Sequence, residues 1–242
     1  MLGSLRKKVA FTLAELLITI AIVGILAVMV LPTLIQRNEE RMLLLQFKQT
    51  YSILQRAYQA IQGEYGDFNV WKGTNTTYNM FIPYLKVSES CHKTNGCFPN
   101  VIYPSFNPTE GTCIRSNFYT SKTEKVRLMN GASISFGATS MLVDINGDKK
   151  PNRYGYDVFT LGFSNLHPGI ITGAHTENDE SWMYEAGLAM CSKALKNCNQ
   201  MYSGYSCAHW VIRKGNMDYI HRNLSQSEWK SLFKYTKYKP NY

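Results

Sequence analysis

The 242-residue sequence predicts an α+β chain. A long kinked N-terminal helix, membrane-spanning in its first half, packs on a small antiparallel sheet, followed by a disulfide-bearing C-terminal region. Three observations carry this reading. Residues 11–35, FTLAELLITIAIVGILAVMVLPTLI, form an apolar run with a single charge, Glu15, and about 20 apolar residues suffice to cross a bilayer. Beyond the run, Leu44, Phe47, Tyr51, Leu54, Tyr58 and Ile61 recur at alternating steps of three and four, one apolar stripe on a helix. From Lys125 onward, KVRLMNGASISFG alternates apolar and polar on both sides of Asn130–Gly131, a two-residue hairpin signal.

The helix reads from about Thr12 to Gln62, roughly 75 Å at 1.5 Å per residue. Pro32 removes one backbone donor and crowds the preceding turn, which predicts the kink. Gly63 and Gly66 are natural stops. The stripe from Leu44 to Ile61 covers only about two and a half heptads, so it predicts packing on the chain's own sheet rather than a coiled-coil seam.

Residues 67–125, rich in Asn, Thr, Ser and Pro, read as irregular, with room for short strands but no periodicity to place them. Met141–Val143 and Val158–Phe163 read as strands flanking a turn-rich loop. Residues 164–200 read as loop with a short helix near Glu180–Leu195, and CAHWVIRKGNMDYIHR as a last strand or hairpin. Ser225 and Glu228 form a capping box for a short C-terminal helix that bears Trp229, Leu232 and Phe233.

Arg6, Lys7 and Lys8 precede the apolar run, which places the N-terminus on the cytoplasmic side and the bulk of the chain outside. Net charge is +9, falling to +6 if those three cations are removed. Such a basic surface serves solubility and also suits anionic polymers or DNA. Cys91, Cys97, Cys113, Cys191, Cys198 and Cys207 all follow the apolar run. An even count in an oxidising compartment reads as disulfides, with one bridge near Cys91–Cys97 and another within Cys191–Cys207. No spacing is C-x-x-C, which argues against zinc.

A basic leader, Phe11 at the head of the apolar run, Glu15 and Pro32 together resemble the class III leader of the type IV pilin and pseudopilin family. The resemblance implies a cut by prepilin peptidase between Ala10 and Phe11 and N-methylation of Phe11. It makes Glu15 the fifth residue after the cut and Pro32 the twenty-second. The family favours glycine before the cut, where this chain has Ala10. The resemblance further implies a leader over 1–10 and a transmembrane and filament-core helix over 11–35. An amphipathic helix half then covers 36–62 and an extracytoplasmic pilin-like domain 63–242. The partners implied are like or related subunits, an inner-membrane assembly platform, and membrane lipid before assembly. In such a filament a neighbour's freed Phe11 amine would pair with Glu15.

Asp144, Asn146, Asp148, Asn152 and Asp157 lie within one 14-residue segment. Alternating acidic and amide oxygens suit Ca²⁺, a composition similar to the calcium loops of major pseudopilins. The same residues suit Asx-turns at a hairpin tip, with Gly147 and Gly155 at positive φ. Lys149, Lys150 and Arg153 in the loop oppose a cation. G-x-S-x-G, a Walker loop and H-E-x-x-H are all missing, and the five histidines lack metal-ligand spacing. The expected function is a structural subunit of a type IV pilus or type II secretion filament, and not an enzyme. The alternative is a minor pilin at a filament tip that binds DNA or a surface. It rests on Arg213, Lys214, Arg222, Lys230, Lys234, Lys237 and Lys239 with interspersed Tyr.

Overall fold

The structure, a computed structural model, describes residues 12–71, 74–104, 117–163, 171–173, 191 and 206–232. They divide into two compact units, Met1–Met42 and Leu43–Tyr242. Helix α1, Leu13–Tyr65, belongs to both and carries Pro32 in its interior. The helix continues through Gly63 and stops at Gly66, which takes φ +79 and donates its N–H to Gln62 O at 3.0 Å. Only the second glycine acts as the stop, because it alone occupies the left-handed region that ends a helix.

In the first unit, the large apolar residues from Leu13 to Ile35 are all strongly exposed. The run is long and apolar enough to cross a membrane by length and composition, and none of it is buried.

In the second unit the stripe meets a sheet. Six antiparallel strands lie in simple sequence order: β1 (Val87–Ser90), β2 (Glu124–Leu128), β3 (Ser133–Phe136), β4 (Ser140–Asp144), β5 (Val158–Phe163) and β6 (Ile171–Gly173). Side chains alternate across a strand, so Val126, Leu128, Ile134, Phe136, Met141, Val143, Phe159, Leu161 and Phe163 share one core with Phe47, Leu54, Tyr58 and Ile61 of α1. Phe47 meets Phe159 edge-on at 4.6 Å between ring centroids.

The opposite face of the sheet has a smaller core of its own, where Phe98, Tyr103, Leu142, Tyr154 and Val158 pack with Cys91 and Cys97. Lys125 is buried on that face. Its ammonium donates to Phe118 O at 3.0 Å and Tyr119 O at 2.8 Å, which compensates part of its desolvation.

Helix α1 also secures the far edge of the sheet. Buried Gln55 accepts the Ile171 N–H at 2.8 Å through Oε1, and the Tyr51 hydroxyl donates to Ile171 O at 2.9 Å. These side chains take backbone groups that an adjoining strand would otherwise take.

Three expectations are corrected. The β2–β3 connection is a three-residue loop, Met129–Asn130–Gly131. Gly131 N–H donates to Leu128 O, Leu128 N–H donates to Ala132 O, and Gly131 sits at φ +90. The extra residue makes the turn-plus-bulge form of hairpin. Residues 67–125 hold two short helices, α2 (Phe68–Trp71) and α3 (Thr74–Phe81), a 3₁₀ turn at Ile82–Tyr84, and strand β1. Trp71 and Phe81 insert against Tyr58 and Phe163, and that aromatic burial outweighs the weak helix propensity of Asn and Thr.

The third correction concerns Cys207–Lys214, read as strand but folded as helix α4. Cys207 through Val211 are all buried, so burial there has no strand-like alternation, and Gly215 closes the helix at φ +70 with its N–H on Val211 O at 2.9 Å. The predicted helix near Glu180–Leu195 lies outside the described residues apart from Cys191. The C-terminal helix α5 is Gln226–Ser231, and Trp229 and Leu232 are buried in the main core.

Because Phe159 joins the α1 stripe to the sheet, Phe159→Ala is expected to cost roughly 3–5 kcal/mol. Denaturant unfolding of the full chain in detergent, followed by near-ultraviolet circular dichroism, measures it.

Candidate functional site

The helix of the stem starts on its own acid. Thr12 caps α1: its backbone N–H and its hydroxyl donate to Glu15 Oε2 at 2.8 and 2.9 Å, and Glu15 N–H donates back to Thr12 Oγ1 at 3.2 Å. This reciprocal capping box fills N–H groups that a helix start leaves without partners. Both hydrogen bonds fall on one oxygen, and among the described residues none falls on Oε1. One carboxylate oxygen of Glu15 thus holds the helix end, and the other takes no part in the cap.

A carboxylate in an apolar stem costs about 2.5–3.5 kcal/mol at mid-membrane and less near an interface, and Glu15 lies in the first turn of the helix. The box moderates that cost locally, and a cationic partner would remove more of it. Ala10 and Phe11 lie outside the described residues. Thr12 was not singled out in the sequence, although T-x-x-E is the same pattern that marked Ser225 and Glu228. At the C-terminal box the matching bonds are present, Ser225 N–H and Oγ donating to Glu228 Oε2 at 2.9 and 2.8 Å.

Two disulfides join Cys91 to Cys97 and Cys191 to Cys207. The first closes the small core behind the sheet, and the second fastens α4. Cys113 and Cys198 lie outside the described residues. Glu89, Cys91 and Cys97 come together, but both sulfurs are bonded to each other and neither is a ligand in that state.

The acidic loop between β4 and β5 is arranged as Asx-turns. Asp144 Oδ1 accepts the N–H groups of Asn146 at 3.2 Å and Gly147 at 2.9 Å, while Oδ2 accepts the Tyr103 hydroxyl at 2.9 Å. Asp157 accepts the N–H groups of Asn152 and Arg153, both at 2.7 Å. Asp148 is exposed and bidentate to Arg127 at 3.0 Å for both bonds. As arranged, this donor set does not fit calcium. Asp148 is turned to a guanidinium, and the oxygens of Asp144 and Asp157 are taken by protein donors. Burial, and the Asp157 charge beside it, hold the Asp144 pKa well above the ordinary carboxylate range. Burial pushes Asp157 up to about 6, against the pull of the Arg153 and Asn152 N–H groups.

The basic C-terminal stretch is partly self-neutralised. Arg222 reaches Glu228 at 2.8 Å and Asp218 at 3.8 Å, and it holds Glu228 down at about 2. Lys214 donates to Ser231 Oγ at 3.3 Å and lies over the Trp210 ring. Lys234, Lys237 and Lys239 lie outside the described residues. His92 contacts Glu124 at 3.3 Å on the surface, and His209 is buried near Trp229. His167 and His175 lie outside the described residues.

An apolar stem with one capped acid, leading into a helix packed on an antiparallel sheet, defines a pilin-like α+β protein. Residues 6–31 match the family model described as the prokaryotic N-terminal methylation motif. That is the prepilin-type leader of type IV pilins and pseudopilins, and it points to a structural subunit. It implies processing by prepilin peptidase and assembly with other pilin subunits. With the apolar helix, it fits a membrane-anchored pilin that then enters a filament. No curated protein and no solved structure gives a significant match to the chain.

The raised Asp157 pKa has a definite sign. Below about pH 4 the carboxyl is protonated both folded and unfolded. Between there and about 6 the unfolded chain releases a proton that the folded chain keeps, so stability falls as pH rises through that window. The expected loss is on the order of 2–3 kcal/mol. Thermal melts of the full chain in detergent should show a shallower decline for Asp157→Asn than for the parent.

Proposed function

We propose that this chain is a structural subunit of a type IV pilus or type II secretion filament. Prepilin peptidase cuts between Ala10 and Phe11, and Phe11 is then N-methylated. Residues 11–35 hold the subunit in the inner membrane, with the N-terminus in the cytoplasm and residues 63–242 outside. An assembly platform draws the subunit out, and the stems exchange lipid for one another. The free amine of a neighbour's Phe11 pairs with Glu15, the one charge in the stem, and sets the axial register. Before the cut that amine is an amide and carries no charge, so leader removal licenses assembly.

One observation carries this reading: the leader match over residues 6–31 coincides with a stem whose large apolar residues are exposed and whose one charge is Glu15. The uncapped oxygen of Glu15 supports it further. The Thr12 bonds occupy Oε2, so a neighbour's ammonium meets the other oxygen without breaking the helix cap. Pairing of buried charges is worthwhile only where the remaining valences are also satisfied.

Mass spectrometry of the protein isolated from its host is the direct test, with methyl-Phe at residue 11 the expected N-terminus. A start at Met1, or beyond Ala27, would overturn the reading. In the same host, Glu15→Ala should abolish incorporation into polymer, read by shear fractionation, while the leader is still removed.

A further inference from the structure

We propose that the groove beside the second half of α1 is a binding site for an anionic amphiphile, a carboxylate head on a single hydrocarbon chain. The groove has a volume of about 690 Å³, within the range of small-molecule sites. One wall is a helical row on α1 that includes Ile53, Arg56 and Ala57. The other walls are Tyr84 and Lys86, ahead of β1, and the β2–β3 turn. Ile53, Ala57, Leu128 and Met129 supply an aliphatic lining. Met129 is 72% exposed, an adaptable thioether left in water at the lip.

The charges in the groove are of one sign. Arg56 and Lys86 line it, no acid does, and neither cation is in a salt bridge with a carboxylate among the described residues. The Arg56 guanidinium is steadied by Ser52, donating to its carbonyl at 3.2 Å and its hydroxyl at 3.0 Å. These bonds orient the guanidinium and leave its positive charge unneutralised. The nearby acid Glu64 is engaged by the Tyr84 hydroxyl, whose pKa is raised to about 12 by desolvation first and by Glu64 next.

The walls are also tied together. Asn130 Nδ2 donates to Thr50 Oγ1 across the gap at 3.0 Å, and Met129 N–H donates to Lys86 O at 2.9 Å. The groove is thus preformed, and a ligand loses little to ordering it. An aliphatic lining with two unpaired cations is complementary to a hydrocarbon chain that ends in one negative charge.

The proposal rests on neither leader processing nor filament formation, so the uncut full chain is a valid test object. It is placed in nanodiscs of zwitterionic phosphocholine lipid and photolabelled with a diazirine-bearing decanoate, and the labelled peptides are mapped by mass spectrometry. Label is expected on the stem, which reports entry of the probe into the bilayer, and separately on peptides containing Ile53 and Met129. In the double variant Arg56→Glu, Lys86→Glu, groove labelling should fall about tenfold or more while stem labelling holds. Each single reversal should give an intermediate loss. Both positions are exposed, and an unchanged thermal melt reports that the variants stay folded. The matching diazirine alcohol should label the stem equally and the groove far less. Label confined to the stem, groove label insensitive to charge reversal, or equal groove label from acid and alcohol would each overturn the proposal.

Discussion

The contact between the second half of α1 and the sheet is what the remaining structure depends on. Phe47, Leu54, Tyr58 and Ile61 are all at or near full burial, and each faces a strand or the aromatic cluster beneath α2 and α3. The two short helices have no stable reason to form without that surface, since Asn and Thr favour neither. Strand β6 has only three residues, and its outer backbone groups rest on Gln55 and Tyr51 of the same helix. Hydrophobic burial and backbone satisfaction are thus concentrated on a single helical face.

That helix must satisfy two different surroundings along one continuous backbone. Its first half is exposed on every side in the isolated chain, which suits lipid or other stems but not water. Its second half has one apolar stripe and a polar back. Glu15 sits in the first half and would be an anomaly there if it lacked local support. The Thr12 box supplies part of that support and leaves one oxygen over. On the proposed reading, that spare oxygen is where a neighbour's amine completes the pairing, so helix capping and subunit contact use different valences of one side chain.

Much of this was legible before any coordinates, and the misses have identifiable causes. The α1 stripe, the hairpin at Asn130–Gly131 and the Ser225–Glu228 box are periodic or local signals, and local signals survive in sequence. The Thr12–Glu15 box is equally local and was overshadowed by the apolar run around it. Cys207–Lys214 misled because Val and Ile favour strands. Its ending, Arg213–Lys214–Gly215, nonetheless has the basic last turn and left-handed glycine of a helix stop. The acidic loop could be read two ways from composition. Only the positions of the Asn146, Gly147, Asn152 and Arg153 N–H groups show that backbone donors take the oxygens.

The sequence by itself determined the leader, the single-acid stem, the long helix and the alternating strands, because each follows from spacing along the chain. Tertiary structure decided which side chains face one another: Phe47 on Phe159, Gln55 on Ile171, Arg127 on Asp148, and the β2–β3 turn across the groove from Arg56. Those pairings join residues far apart in sequence. Periodicity fixes which way a side chain points along its own element, but only packing decides what it meets.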